Sequence, residues 1–105
     1  MNGAKTVDMH PGIRTFTGTR PAPPEDYAEK GITNSGLQPD YEGVIFSDGT
    51  VVIRWLTAFR SHSVWQDYDT FYQVHGHPEY GTRIVFGDGL PPPELLHPLP
   101  VAEVQ

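Results

Sequence analysis

The stretch Glu42-Gly43-Val44-Ile45-Phe46-Ser47-Asp48-Gly49-Thr50-Val51-Val52-Ile53-Arg54-Trp55-Leu56 decides the reading of this chain. Two runs rich in β-branched and aromatic residues flank Asp48-Gly49. Asp-Gly between such runs predicts a β-hairpin closed by a two-residue type I′ turn, because both central positions of that turn need positive φ. The turn sets a register in which Ser47 faces Thr50, Phe46 faces Val51 and Val44 faces Ile53. Side chains alternate along a strand. One face therefore collects Val44, Phe46, Val51, Ile53 and Trp55 as the expected core. Gly43, Ile45, Ser47, Thr50, Val52 and Arg54 fall on a mixed, half-exposed face.

Downstream, 57–60 reads as a loop and 61–65 as a short third strand. A helix is predicted over 67–75. Asp67 is its N-cap, Asp69 suits the positive end of the helix dipole, and Tyr68, Phe71, Tyr72 and His75 share one face at i, i+3, i+4 and i+7. Gly76 is expected to end it in a left-handed conformation. A last strand at 82–86 alternates Ile84 and Phe86 against Arg83 and Val85, and runs into Gly87-Asp88-Gly89. Its end echoes the first hairpin: Val44-Ile-Phe-Ser-Asp-Gly49 against Ile84-Val-Phe-Gly-Asp-Gly89, a strand entering an Asp-Gly turn in both cases. The expected fold is α+β: a small antiparallel sheet of three to four strands with one helix, in the order β-β-β-α-β. Trp55, Phe71 and Phe86 are its expected aromatic core.

The compact unit spans 41–88. Ten of the eleven prolines lie outside it, Pro78 being the exception. Proline removes a backbone donor and restricts the residue before it, so 1–40 and 89–105 read as irregular Pro-rich arms in turns and polyproline II, with at most one helical turn near Pro24-Glu25-Asp26. A unit of 48 residues is short of core for independent stability. Its arms, self-association or a partner are expected to supply the rest.

The chain has 105 residues, a formal charge of −6 and no cysteine. The acidic balance argues against a nucleic-acid backbone binder, which needs clustered Lys and Arg. The lack of cysteine excludes disulfides and thiolate metal sites. The first ten residues show no signal-peptide pattern, and no apolar run approaches a membrane span of about 18–20 residues. The expected location is host cytoplasm or virion, without membrane or nucleic-acid partners.

No strong catalytic signature occurs. Val74-His75-Gly76-His77 contains the candidate metal ligands, His75 and His77, with His62 or Glu79 to complete a set. Two clustered histidines without HExxH or thiolates fall short of a metal site, and a helix cap with a loop hydrogen bond accounts for them. No cofactor is expected. Ser61 and Ser63 flank His62, but strand neighbours point to opposite faces, so no nucleophile–base pair forms there. Asp48 and Asp88 each precede glycine in a turn, the ordinary place for Asp. The domain is dense in aromatics. Trp, Tyr and Arg dominate interface hot spots, and Phe59, Arg60, Trp65 and Tyr80 are the candidate protein-contact residues.

Gly43-Val-Ile-Phe-Ser-Asp-Gly-Thr50, Arg54-Trp55, Arg60-Ser61, Trp65, Val74-His-Gly-His77 and Thr82-Arg-Ile-Val85 together resemble a group of small proteins encoded by actinobacteriophages and actinobacteria. The resemblance covers roughly 42–88. The Phe-Ser-Asp-Gly hairpin and the Val-His-Gly-His element are its most specific parts. Pro78-Glu79-Tyr80 departs from the small glycine-containing loop expected after His77. The resemblance implies a viral or mobile-element origin and brings no functional residues with it. The expected function is that of a non-enzymatic phage accessory protein that binds another protein, as a virion decoration or minor structural component. The alternatives are an inhibitor of a host factor, or a metal-dependent hydrolase using His75 and His77. The partner is a phage structural protein or a host factor, and a homo-oligomer is compatible with the short core.

Overall fold

The structure, a computed structural model, describes residues 12–97. The outer ends of both expected arms, 1–11 and 98–105, lie outside the described residues. The described residues form strands β1 (Arg14–Thr19), β2 (Tyr41–Ile45), β3 (Val51–Trp55) and β4 (Ser61–Trp65), helix α1 (Tyr68–His75), a single 3-10 turn at Pro78–Tyr80, and strand β5 (Arg83–Phe86). All neighbouring strands are antiparallel, in the order β4-β3-β2-β1-β5.

Among the described residues the α+β class and the one α-helix are as expected, but the sheet has five strands. The extra strand, β1, comes from residues 14–19, in the stretch expected to be an irregular arm, and it lies between β2 and β5. A boundary at residue 41 therefore cuts between paired strands, because β5 joins the sheet through β1 alone. The proline-rich segment after β1 does remain in turns. Its expected helical turn is a short run of bonded turns ended by Gly31 at φ 75°. There Ile32 N–H reaches Tyr27 O and Gly31 N–H reaches Ala28 O, the paired bonds of a Schellman cap.

The hairpin register also differs from expectation. Ile45 pairs with Val51, Val44 with Val52 and Gly43 with Ile53. Asp48 does not have positive φ, so the turn is not type I′. Instead Gly49 N–H bonds Phe46 O, Phe46 N–H bonds Thr50 O, and Gly49 alone is left-handed at φ 95°. This is a three-residue loop, with Ser47 recruited into the turn. One extra loop residue slips the pairing by one and turns β2 over. Ile45 and Gly43 face the core, whereas Val44 and Phe46 do not. The expected face of β3 holds: Val51 and Ile53 are fully buried and Trp55 packs beside them. The echo at 84–89 is the same turn built twice. Thr50 and Leu90 N–H each bond the Asp48 or Asp88 carboxylate at 2.9 Å, and Gly49 and Gly89 both take positive φ.

The core side of the sheet reads as three cross-strand rows. Trp65, Val51, Ile45 and Arg14 form the first. Ser63, Ile53, Gly43, Phe16 and Phe86 form the second, and Ser61, Trp55, Tyr41, Gly18 and Ile84 the third. The two glycines make room for rings. A Cβ on Gly43 would stand 2.3 Å from Phe16 Cζ, and one on Gly18 would stand 2.0 Å from Tyr41 Cζ. Large and small residues thus alternate across β1 and β2, giving the close packing that a small core needs.

Helix α1 covers this side. The Asp67 carboxylate accepts Thr70 N–H at 2.8 Å as the expected N-cap. Tyr68 and Phe71 bury against Phe16, Tyr41 and Phe86, with ring centroids 5.6–5.9 Å apart. Gly76 corrects another expectation: it stays right-handed at φ −66°, and His77 takes the left-handed turn at φ 41°.

The described parts of both arms are tied to the chain itself. Arg14 forms a two-pronged pair with Asp88 and also donates to Leu90 O and Pro91 O. Leu95 packs on the core, and Asp69 accepts Leu96 N–H and pairs with His97. On the other side, Ala22 N–H bonds Tyr80 O at 2.8 Å.

Candidate functional site

Two concave regions stand out, one on each side of the sheet. The first is a cleft of about 280 Å³ at the end of β1 and β3, lined by Arg20, Ile32, Trp55, Thr57, Phe59, Ser61 and His75. Arg20 follows β1 directly, so the strand aims it beneath α1. Its backbone N–H bonds the carboxylate of Asp40, which also takes Asn34 N–H and is itself fully buried. Burial pushes that carboxyl up, against the pull of the two N–H donors and the nearby guanidinium.

The Arg20 side chain is 5% exposed. It is enclosed by rings, its guanidinium carbon lying 5.2 Å from the Trp55 centroid, 5.6 Å from Tyr41 and 5.7 Å from Tyr80. Such faces stabilise a cation through their quadrupole. One Nη donates to His75 O at 3.1 Å, and Nε has no partner although it is buried. No carboxylate among the described residues forms an ion pair with this guanidinium.

His75 closes the cleft from the helix end. Its ring stands edge-on between Trp55 and Trp65, at 5.0 and 5.2 Å. Burial presses its pKa down to about 4, with the charges of Arg20 and His77 adding to the effect, so the ring is neutral at physiological pH. Both indole N–H groups donate to Ser63 Oγ, at 3.3 and 3.0 Å, which locks the two tryptophans.

The predicted contact residues scatter around this cleft. Phe59, 68% exposed, lines it, and Arg60 is exposed beside it. Trp65 is half-buried against Phe71 and His75, away from solvent-facing patches. Tyr80 stacks in parallel on His77, 4.2 Å away with planes 2° apart. The two candidate metal ligands have separate engagements: His75 sits between indoles, while His77 bonds Glu79 Oε2 at 2.9 Å. Among the described residues, no group of three or more His, Asp or Glu side chains is placed to hold a metal. Ser61 and Ser63 lie on the opposite face of β4 from His62, as strand alternation requires. Arg20 escaped the sequence reading because it sat in the presumed arm. The signal was present: Phe16 and Gly18 alternate with Thr15, Thr17 and Thr19, the period of a strand.

The second region lies on the side of the sheet opposite α1, a shallow concavity of about 530 Å³. Two cross-strand rows make it. Val64, Val52, Val44 and Thr15 lie side by side on four strands. Next to them run His62, Arg54, Glu42, Thr17 and Val85 on all five. Val64 and Val85 are 68% and 62% exposed, and Phe46 is exposed at the rim.

Among the described residues, no helix is long and apolar enough to cross a membrane. No curated protein and no solved structure matches the chain. The family described as Acb5 phage protein matches residues 32–88, which takes in β2 through β5 and every cleft residue except Arg20. That match spans more than half of the chain, so the chain belongs to the Acb5 phage protein family.

Proposed function

We propose that this phage protein is a non-enzymatic accessory protein that acts by binding another protein, with the side of its sheet opposite α1 as the contact surface. One observation carries the reading: the row Val64-Val52-Val44, directly paired across three strands, with Val64 exposed, Val52 and Val44 half-buried, and no covering layer among the described residues. A solvated face of an antiparallel sheet ordinarily alternates to polar residues, and contiguous exposed apolar surface marks contact sites. The register slip at the hairpin is what puts Val44 and Phe46 on this side. Arg54 and Glu42, paired opposite one another in the adjoining row, give the surface a charged edge. An apolar ridge on the partner, flanked by polar groups, fits such a face. In this reading, the contact residues expected at Phe59, Arg60, Trp65 and Tyr80 give way to the valine row.

The test is recovery of bound proteins from infected cells by the tagged full chain and by its Val52→Glu and Val64→Glu variants. Val64 is exposed, so its variant should melt as the parent does; Val52 is half-buried on an inner strand, and its variant is compared only where its melting temperature matches the parent's. Proteins recovered by the parent and lost with either variant support the reading; equal recovery by all three overturns it. Sedimentation of the purified chain identifies the case in which the partner is a second copy. Mass spectrometry of purified virions then assigns the role: many copies mean a virion component, and absence means a host-factor modulator.

A further inference from the structure

We propose that the cleft around Arg20 is a binding site for a small organic anion carrying a planar ring, a site separate from the sheet face discussed above. The anionic group is placed by Arg20 and the ring by Trp55 and Phe59.

The argument starts from the cost of the arginine. A guanidinium that is nineteen-twentieths out of water has given up hydration and is ordinarily repaid by a carboxylate and by a full set of hydrogen bonds. Here neither a direct ion pair nor a full set of hydrogen bonds is present among the described residues. Asp40 and Glu79 act on the guanidinium only through space, neither lines the cleft, and the Asp40 oxygens are engaged by the backbone N–H groups of Arg20 and Asn34. Nε is buried and orphaned, and one Nη alone is bonded, to His75 O. An anion in the cleft would be met by the Nη donors that His75 O leaves free, in the charge-assisted bonds that guanidinium makes to carboxylate and phosphate oxygens.

The rest of the lining selects what carries that anion. Arg20 is the one ionised side chain among the lining residues, since His75 is neutral. Thr57 and Ser61 line the same cleft and add its other polar residues. The other walls are Trp55, Phe59, Ile32 and the His75 ring. Phe59 spends 68% of its surface on solvent at the mouth, where it can close over a flat ring. A volume of about 280 Å³ suits a single ring with one anionic substituent. The shared chemistry is thus an aryl carboxylate or an aryl phosphate ester.

The experiment titrates the full chain with phenyl phosphate, benzoate, inorganic phosphate and cyclohexyl phosphate. It follows amide and indole resonances by two-dimensional NMR. Saturable binding of phenyl phosphate or benzoate, with shifts centred on the Trp55 indole and on residues 57–61, is the expected result. Whichever of the two binds more tightly identifies the anionic group. Inorganic phosphate and cyclohexyl phosphate should bind about tenfold more weakly, for want of a ring face. Phe59→Ala, at an exposed position, should weaken binding about fivefold with an unchanged melting temperature. Arg20→Lys should weaken it more, and if that variant does not fold, Phe59→Ala and the shift map decide alone. No saturation by either aryl anion up to about 10 mM, the weak limit of specific recognition, overturns the proposal. So do shifts that map away from the cleft, or binding indifferent to Phe59→Ala.

Discussion

Replacing Gly18 by alanine should destabilise the protein, and the sign of that effect tests the central feature of the fold. A new Cβ would stand 2.0, 2.3 and 2.4 Å from Cζ, Oη and Cε1 of Tyr41. Comfortable carbon–carbon contact is about 3.5–4.0 Å, so the ring must retreat by more than an ångström. It has no room to do so, being fully buried between Trp55 at 5.1 Å and Phe71 at 5.6 Å. Overpacking of this kind costs about 1–3 kcal/mol. Alanine regains about 0.5–1 kcal/mol over glycine in a strand. The net expectation is a loss of about 1 kcal/mol, or roughly 4–8 °C in Tm for a domain of this size. Were residues 14–19 an irregular arm, the same change would stabilise by about 0.4–1 kcal/mol through the unfolded chain. Urea unfolding followed by tryptophan fluorescence separates the two. In a Tyr41→Leu background the ring is gone and Gly18→Ala should become stabilising by about 0.5–1 kcal/mol, a coupling of about 2 kcal/mol. A Gly18→Ala protein as stable as the parent, or an equal penalty in both backgrounds, would refute the pairing of β1 with β2.

Two further outcomes follow from the helix and its surroundings. His75 binds its proton near pH 4 when folded and near the ordinary 6.5 when unfolded. The unfolded state therefore holds more protons in between, and stability should drop as pH falls from 6.5 toward 4. The drop is about 1–2 kcal/mol, reduced from the full shift because the ring keeps some solvent contact. His75→Phe should flatten the urea midpoint over that window, and an unchanged slope would show that the imidazole is not buried. Asp67→Ala removes the cap on Thr70 N–H and should cost about 1 kcal/mol, whereas Asp67→Ser should cost less than half of that by the same unfolding assay.

Local chemistry made much of this protein legible. The Asp67 cap, the 3.6-residue spacing of Tyr68, Phe71 and His75, the period-two face of β3 and the strand at Ser61–Trp65 are all set by residues within a few positions of each other. The hairpin was legible as a hairpin but not in its register. Asp48-Gly49 suits both a two-residue loop and a three-residue loop, and a difference of one residue exchanges Val44 and Phe46 for Gly43 and Ile45 in the core. The candidate cleft was not legible, because its defining residue gains meaning from surroundings more than thirty positions away: Trp55, His75 and Tyr80 around Arg20.

The sequence by itself determined an α+β hairpin domain with one capped helix, because turns, caps and periodicity are short-range preferences of the backbone. Only the tertiary structure decided that residues 14–19 enter the sheet between β2 and β5. That placement rests on pairings across about 25 and 70 positions, and on two glycines whose missing side chains admit Phe16 and Tyr41. A strand's place in a sheet is settled by what it packs against, and so it was here: the rings closed the core, and the same closure left Arg20 under the helix and a row of valines on the outside.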